Sequence, residues 1–233
     1  QGNGFAKQGY PARALFSIPF VGINEKGNPV CINEKGQATV GDLNFQERNN
    51  TDYLIYEGST DPIYNGSLGN TFNYKGFHLN LFLTYAFGNV VRLDPVFKAK
   101  YNDLTSMTHD FKNRWMQPGD ENVTNVPGVV SRYEYEQNRT LLSTAYNAYN
   151  YTSVRTAKGD FIRLKEISLA YDFPHRWLEN SPVNNISLKL QATNLMLLYA
   201  DKKLNGQDPE FMNAGGVASP MPKQFTLTLK LGL

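Results

Sequence analysis

The sequence predicts an all-β protein made of antiparallel strands of a transmembrane β-barrel with long extracellular loops. Several segments of about ten residues alternate between apolar and polar side chains, as strands with one lipid-facing and one lumenal face do. The 233 residues also include 14 Tyr and 14 Phe but only 2 Trp. That aromatic composition suits strands and the interfacial girdles of a barrel.

Three segments carry the clearest alternation. Residues 77–87 place apolar side chains on one face with Phe82 as the only exception, and residues 225–233 repeat the pattern at the end of the sequence. Residues 67–74 alternate more weakly and connect to residue 77 through the two-residue turn Lys75-Gly76. These segments predict a strand hairpin and a final strand.

Two further segments, residues 160–173 and 186–198, complete a set of about five strands. In the first, Ile162 and Leu164 have the opposite parity to Ile167 and the apolar residues after it. This change of phase predicts a β-bulge or the point where the strand leaves the membrane.

The alternation assigns side chains to two faces, because a slip of one residue would place lysines in the hydrocarbon region. We expect lipid to contact Leu79, Leu81, Leu83, Leu188, Leu190, Leu227 and Leu229. We expect the lumen to contact Asn80, Thr84, Lys189, Gln191, Thr228 and Lys230.

The connections differ in length, which predicts short periplasmic turns and long extracellular loops. We divide the chain into an extracellular loop or hairpin (1–66), a strand hairpin (67–88), a long extracellular loop (89–159) and the last three strands (160–233). Known bacterial barrels have at least about eight strands, and an open edge in lipid leaves backbone groups unpaired. We therefore expect the chain to be incomplete on its own, and residues 223–233 to pair with residues 186–198 and with a strand from elsewhere.

Residues in the loops predict local structure. Residues 15–23 read as a strand, and residues 94–115 as partly helical, with Asp94 as N-cap and Pro95 at the first helical position. Cys31 is the only cysteine, so no internal disulfide is available, and we expect it to be a spare thiol in a loop.

Several classes of function are disfavoured. No run of about 18 apolar residues is present, so we predict no membrane-spanning helix. The net charge of +2 is spread along the chain, so we predict no nucleic-acid partner. His78, His109 and His175 lack the spacing of a metal or acid–base site, so we predict no catalytic residue, metal or cofactor. Residues 208–210 (Asp-Pro-Glu) invite comparison with a glycosidase carboxylate pair, but a loop motif is the better interpretation.

A series of short motifs runs through nearly the whole chain. In order they are Gly9-Tyr10-Pro11, Ala14-Leu15-Phe16-Ser17, Gly41-Asp42, Tyr74-Lys75-Gly76-Phe77, Trp115-Met116-Gln117-Pro118-Gly119-Asp120-Glu121-Asn122, Gly159-Asp160-Phe161-Ile162-Arg163-Leu164-Lys165-Glu166-Ile167, Asn194-Leu195 and Asp208-Pro209-Glu210. This order resembles the C-terminal quarter of the SusC/RagA family of TonB-dependent transporters.

The resemblance implies a 22-stranded barrel in the bacterial outer membrane, with a plug domain that is not in this chain. It also implies a SusD-like surface lipoprotein as lid, and import of oligosaccharides or peptides driven by TonB through the missing N-terminal region. The remaining strands and the plug of the same transporter, and outer-membrane lipid, are then the other partners. The cargo itself does not follow from these residues.

The chain departs from the family pattern in two places. Residues 47–52 stand where the family often has an acidic, glycine-containing stretch, so we assign no cation site there. The last residue is Leu233 where the family usually has Phe; we expect it at the periplasmic edge of the lipid face.

Five residues are candidates for ligand or lid contacts. Trp115, Tyr146, Tyr149 and Tyr151 in the long loop are suited to stacking on sugar rings, to contacting the lid, or to packing within the loop. Arg163 is suited to an anionic ligand in the lumen, although pairing with a carboxylate of the barrel or plug is the favoured interpretation. The alternative function is a soluble β-sandwich that binds carbohydrate, which a requirement for detergent would distinguish.

Overall fold

The computed structural model describes residues 6–47, 50–102, 104–179, 182–212 and 222–232. Leu233, and Arg48 and Asn49 of the stretch 47–52, lie outside the described residues. The chain forms two compact units. Unit 1 comprises Gln1–Asp61 and Val90–Ala157, and unit 2 comprises Pro62–Asn89 and Lys158–Leu233.

The described residues form twelve strands and two α-helices. The strands are β1 (Ala14–Ser17), β2 (Phe20–Ile23), β3 (Pro29–Ile32), β4 (Ala38–Thr39), β5 (Ile55–Ser59), β6 (Tyr64–Tyr74), β7 (Phe77–Phe87), β8 (Val90–Arg92), β9 (Thr156–Lys158), β10 (Phe161–Asp172), β11 (Asn185–Ala200) and β12 (Gln224–Gly232). The helices are α1 (Arg132–Gln137) and α2 (Arg139–Tyr149), and short 3₁₀ turns occupy several loops.

Unit 2 is built on one antiparallel sheet in the order β12-β11-β10-β7-β6. These are the five strands that the alternation predicts, and the all-β class is confirmed. The turn Lys75-Gly76 joins β6 to β7, with both residues at positive φ (46° and 85°) as a tight hairpin requires. Among the described residues, β6 pairs only with β7 and β12 only with β11, so the pairing of β12 with β11 is confirmed.

The predicted irregularity in β10 is a β-bulge. Leu164 lies opposite Leu83 of β7, but Glu166 lies opposite Phe82, so Lys165 is the extra residue. The register with β11 shifts at the same place, where Asn194 has a positive φ of 54°. The bulge allows Ile162 and Leu164 to share a face with the later apolar residues of β10 despite their opposite parity.

Unit 1 contains small sheets: β1 with β5, β2-β3-β4, and β8 with β9. The strand predicted over residues 15–23 is two strands, because Pro19 has no N–H to donate to a continuing ladder. Between them Ile18 forms an isolated parallel bridge with Thr152, which ties this segment to the residues after α2.

The helix start predicted at Asp94 and Pro95 is wrong: among the described residues of 94–115, the helical part is a 3₁₀ turn, His109–Asn113. The side chain of Asn150 holds the segment extended, since it accepts from Phe97 N (3.1 Å) and donates to Phe97 O (2.8 Å). Asn102 Oδ1 accepts from Leu104 N at 3.2 Å and favours a local turn.

The helices of this loop lie further along the chain. Helix α1 begins after Ser131, whose hydroxyl accepts a hydrogen bond from Glu134 N at 3.2 Å, so Ser131 is its N-cap. The spacing of Ser131 and Glu134 is that of a capping box and would have marked this helix start from the sequence. No helix within the described residues combines the length and apolar character needed to cross a bilayer.

The apolar interior of unit 1 lies around α2. One cluster contains Ala99, Leu142, Ala145 and Tyr146, and a second contains Ile18, Cys31 and Ala148. The loop position expected for Cys31 is therefore wrong: this residue lies in β3 and is 1% exposed. Burial raises the pKa of the Cys31 thiol to about 12, so the thiol is protonated and shielded from solvent.

Two consecutive turns in unit 1 have the same sequence and geometry. In the β2–β3 turn, Asn24 Oδ1 accepts from Lys26 N (3.0 Å) and Asn28 N (2.9 Å). In the β3–β4 turn, Asn33 Oδ1 accepts from Lys35 N (3.0 Å) and Gln37 N (2.9 Å). Each turn has a glycine at positive φ, Gly27 (78°) and Gly36 (75°). The two glycines can therefore be compared directly by making the same substitution at each.

Candidate functional site

One face of the five-stranded sheet is mainly apolar, with the polar residue Asn70 on its edge strand β6. The register places Phe72, Leu79, Leu169, Leu190 and Leu227 in a single row across the five strands. The next row contains Tyr74, Phe77, Tyr171, Leu188 and Leu229. Several of these side chains are strongly exposed, with Leu227 at 67% and Leu229 at 58%. Such a contiguous exposed apolar surface needs an apolar environment to cover it.

The opposite face is mainly polar. One row contains Thr71, Asn80, Ser168, Gln191 and Thr226, and the neighbouring row contains Asn73, His78, Ala170, Lys189 and Thr228. The register places Leu81 and Leu83 on the apolar face and Thr84 and Lys230 on the polar face, so all thirteen side chains predicted for the two faces group as the alternation requires. Phe82 lies on the polar face, opposite Gly69 and Glu166, which is the exception visible in the sequence.

Aromatic side chains lie at both ends of the apolar face. At one end the rings of Phe77 and Tyr171 are 4.4 Å apart. At the other end the rings of Tyr85 and Phe87 are 5.6 Å apart. Eight residues separate Phe77 from Tyr85 in β7, which corresponds to about 27 Å of strand. At the tilt of roughly 35 to 45° of barrel strands this length spans about 20 Å along the membrane normal, close to the apolar band of about 25 Å between the two aromatic girdles of a transmembrane barrel wall.

Arg163 of β10 has two carboxylate partners from the loop after β11. Its Nη2 donates to Asp208 Oδ2 and lies 3.2 Å from Glu210 Oε2. The side chains of Arg163 and Asp208 are each only 7% exposed, whereas that of Glu210 is 42% exposed. The ring of Phe161 lies beside the guanidinium, 5.7 Å from ring centroid to Cζ. This arrangement connects two of the sequence motifs, Gly159–Ile167 and Asp208–Glu210.

Asp208 and Glu210 are carboxylates of this chain. The ion pair therefore agrees with the favoured interpretation, in which Arg163 pairs with a carboxylate of the barrel or plug. A buried guanidinium needs such a partner, because its desolvation costs several kcal/mol when unpaired. An anionic ligand for Arg163 stays a prediction.

The motif that contains Trp115 forms a self-bonded loop in unit 1. The indole Nε1 of Trp115 donates to Glu121 Oε2 at 2.9 Å, and Gly119 N donates to the same oxygen at 2.8 Å. Asp120 Oδ2 accepts from Met116 N and Gln117 N at 3.0 and 3.1 Å. The hydrogen bond from Trp115 lowers the pKa of Glu121 below its usual range, with a further contribution from backbone N–H groups.

Trp115 is half-buried because its ring packs over two glycines. A Cβ at Gly27 would lie 2.4 Å from the ring, and one at Gly128 would lie 2.8 Å away. Gly128 N also donates to Gly27 O at 2.9 Å, which joins the β2–β3 turn to this loop. The ring thus has a packing role, and a ligand or lid contact for Trp115 stays a prediction.

The three tyrosines differ in exposure. Tyr146 and Tyr149 are 1% and 2% exposed, and Tyr146 donates its hydroxyl hydrogen bond to Gly128 O at 2.6 Å. The ring of Tyr149 packs edge-on against Phe97 with centroids 5.1 Å apart. Burial raises the pKa of both hydroxyl groups well above the usual range. Tyr151 is half-buried beside Arg92, so among the three it is the one with surface available to a partner.

Arg92 is a structural residue that the sequence reasoning missed. Its guanidinium is buried in unit 1 and donates to Phe16 O at 2.7 Å and to Ser17 Oγ at 3.0 Å. Burial lowers the pKa of Arg92 to about 10. These contacts join β8 to β1. No local pattern marks Arg92, because its partners lie about 75 residues earlier in the chain.

The described residues contain no group of three or more His, Cys, Asp or Glu side chains placed to hold a metal ion. The geometry of unit 2 therefore centres on a two-faced sheet and on one buried ion pair. Together these features define the class of protein as a strand-built wall with an apolar outer surface, which is the construction of a transmembrane β-barrel.

Comparison with known proteins agrees with this class. The chain is 27% identical to TonB-dependent receptor P39 of Formosa agariphila over 192 residues, which is 77% of this chain and 17% of the receptor. It is 26% identical to TonB-dependent receptor P3 of the same organism over 160 residues, which is 66% of this chain and 13% of the receptor. No family model matches the chain.

Solved structures with a similar fold include those of the RagAB peptide transporter. One of its chains superposes with a TM-score of 0.67 at 20% identity over 99% of this chain and 24% of that chain. The RagAB peptide importer in the "closed-closed" state gives a TM-score of 0.63 at 19% identity.

The predicted resemblance is thereby confirmed: the chain is similar to part of the TonB-dependent receptors and has the fold of a TonB-dependent transporter barrel fragment. It spans about a sixth of the length of the curated relative P39.

Proposed function

We propose that this chain is part of a transporter of the bacterial outer membrane that imports oligosaccharides or peptides. The apolar face of the five-stranded sheet contacts lipid, and the polar face lines the lumen. The observation that carries the proposal is the apolar row from Phe72 to Leu227, which crosses all five strands. Four of its five side chains are exposed and Leu79 is half-buried. The chain's role is to form and position the wall of a transport route, and no catalytic step is assigned to it.

The open edges of the sheet support the proposal that more polypeptide completes the barrel. Within the described residues, β6 and β12 each have one strand partner. Unpaired backbone groups in hydrocarbon cost several kcal/mol each, so both edges need further strands. We propose that a plug and the remaining strands of a 22-stranded barrel supply them, and that the plug region receives energy through TonB.

We propose that residues 89–159 are extracellular and contact a SusD-like lipoprotein lid. Within this segment Met116, Val123 and Tyr133 are 67%, 84% and 78% exposed. Large exposed apolar side chains close to an ordered loop suit a protein contact. Trp115 and Tyr151 are the candidate aromatic contacts. The similar protein RagAB is a peptide transporter, which supports peptides as one cargo class.

The alternative of a soluble β-sandwich requires the apolar face to be buried against a second sheet. Leu190 and Leu227 are 53% and 67% exposed, which argues against that packing. We keep the barrel as the proposed function.

Membrane fractionation and uptake test the proposal. We expect the full transporter to require detergent for extraction from the outer membrane and to migrate faster on electrophoresis when unheated. We also expect cells lacking the gene, or lacking TonB, to lose uptake of fluorescent oligosaccharides or of a labelled peptide mixture. Recovery of the protein in the soluble fraction without detergent would contradict the proposal.

A further inference from the structure

We propose that the first part of the connection between β11 and β12 folds back over the polar face of the sheet, where Arg163 holds it and it narrows the outer part of the lumen. The segment concerned is residues 201–212, called here the return loop. The inference rests on the proposed function, because it takes the polar face of the sheet to be lumenal.

The position of Arg163 fixes the face on which the return loop lies. Arg163 is opposite Thr84 of β7 and Leu197 of β11, in a row next to Phe82 and Glu166. Its neighbours Ile162 and Leu164 point to the apolar face. The Arg163 side chain therefore projects from the polar face, and any group that binds it lies on that side of the sheet.

The return loop starts beyond the end of the sheet. Strand β11 ends at Ala200, and Asp201 Oδ2 then accepts from Lys158 N at 2.9 Å. Asp201 Oδ1 accepts from Lys203 N at 3.0 Å and starts a 3₁₀ turn. These two hydrogen bonds fix the loop at the point where it leaves the strand.

The loop then turns back along the strands. Asp208 binds Arg163, which is level with Leu197, three residues before the end of β11. Three residues of strand correspond to about 10 Å, so the chain has returned by that distance instead of extending into solution. Leu204, Asp208 and Pro209 are buried, which shows that the return loop is packed.

The two carboxylates have different surroundings. Asp208 and Arg163 are almost completely enclosed, whereas the Glu210 side chain is 42% exposed. Part of the Glu210 carboxylate group is therefore accessible to solvent while the same residue contacts Arg163. Arg163 is a positioning residue, because it sets where the return loop and the Glu210 carboxylate lie along the lumen.

Cysteine accessibility in whole cells tests the placement. The full transporter carries Cys31→Ser, with any other cysteine replaced, and then Glu210→Cys or the matched loop variant Lys202→Cys. The probes are a small charged thiosulfonate and a maleimide carrying a 5-kDa polyethylene glycol. We expect the small probe to modify both positions, and the large probe to modify Glu210→Cys at least tenfold more slowly than Lys202→Cys.

The second measurement tests whether Arg163 holds the return loop in place. Adding Arg163→Ala to Glu210→Cys is expected to raise the rate with the large probe at least tenfold. Exchanging the charges in the Glu210→Cys background, with Arg163→Asp and Asp208→Arg together, is expected to restore slow labelling. The Arg163→Ala and charge-exchange variants are compared at equal abundance in the outer membrane. Equal rates of the large probe at Glu210→Cys and Lys202→Cys with Arg163 intact would overturn the proposal, and so would failure of the small probe at Glu210→Cys.

A lipid-face variant separates this proposal from the proposed function. Leu190→Cys should resist both charged and large probes in intact membranes because lipid covers it. Modification of Leu190→Cys by the charged probe would overturn the membrane assignment itself. Protection of Leu190→Cys together with fast large-probe labelling at Glu210→Cys would overturn the return loop alone.

Discussion

The guanidinium of Arg163 forms a buried ion pair with the carboxylate of Asp208, 45 residues later in the chain. Glu210 adds a second carboxylate at 3.2 Å from the same nitrogen. The loop after β11 is thereby held against β10 by charge, in addition to the backbone pairing of β10 with β11 itself. The two motifs that contain these residues therefore act as one structural unit.

This pair predicts an unequal effect of two isosteric substitutions. Asp208→Asn leaves the buried Arg163 without its enclosed partner, and loss of one member of a buried pair costs about 3 to 5 kcal/mol. Glu210→Gln changes a half-exposed carboxylate, for which about 1 kcal/mol or less is expected. Both losses of stability are measured by thermal unfolding of the detergent-purified transporter, with the protease resistance of the loop as the readout at each temperature. Equal destabilisation by the two variants would contradict this assignment.

The two faces of the sheet predict opposite responses to a new charge at adjacent positions. Leu190→Arg places a guanidinium on the apolar face near the middle of the band, at a cost of about 2 to 4 kcal/mol. Gln191→Arg places the same group on the polar face and is expected to be tolerated. The amount of folded barrel in the outer membrane, read from its heat-dependent migration, distinguishes the two. Normal abundance of Leu190→Arg would show that this face does not contact lipid.

The repeated turns predict a difference between two identical substitutions. Ala at either Gly27 or Gly36 adopts a positive φ, which costs about 1 to 2 kcal/mol. At Gly27 the added Cβ also meets the Trp115 ring at 2.4 Å, whereas nothing lies within 4 Å at Gly36. The clash adds about 1 to 3 kcal/mol if the ring stays in place.

We therefore expect Gly27→Ala to increase protease cleavage of the loop around Trp115, and Gly36→Ala to leave that loop intact. Native proteolysis of the two variants, with cleavage sites identified by mass spectrometry, provides the measurement. Combining Gly27→Ala with Trp115→Ala should relieve the clash, and failure of that relief would count against the packing explanation.

The Trp115–Glu121 hydrogen bond predicts a response to acid. The folded pKa of Glu121 is lowered from its ordinary value of 4.5, so the stabilisation is present above that value. It is lost as the pH falls through the lowered folded pKa, because a protonated carboxyl no longer attracts the indole N–H as strongly. The difference in tryptophan fluorescence between the unchanged transporter and its Trp115→Phe variant follows this transition. Glu121→Gln, which keeps an acceptor oxygen but does not titrate, should remove it.

Period-two alternation determined the sheet from sequence alone. A strand's side chains point alternately to two faces, so its pattern is local and can be read without knowing its partners. The change of parity between Leu164 and Ile167 indicated either a bulge or the point where the strand leaves the membrane, and the structure has a bulge at Lys165. The packing of Trp115, by contrast, depends on Gly27, nearly 90 residues earlier in the chain.

Tertiary contacts decided the loops. Residues 94–115 have apolar residues at helical spacing, yet the side chain of Asn150, 53 residues away, pairs with both backbone groups of Phe97 and holds the segment extended. The sequence likewise could not predict the partner of Arg163. Its residue type indicates a charge on the polar face, but not which carboxylate neutralises that charge. Loop residues have no periodicity that fixes their path, so the return of Asp208 to Arg163 is set by burial, hydrogen bonding and charge in the folded chain.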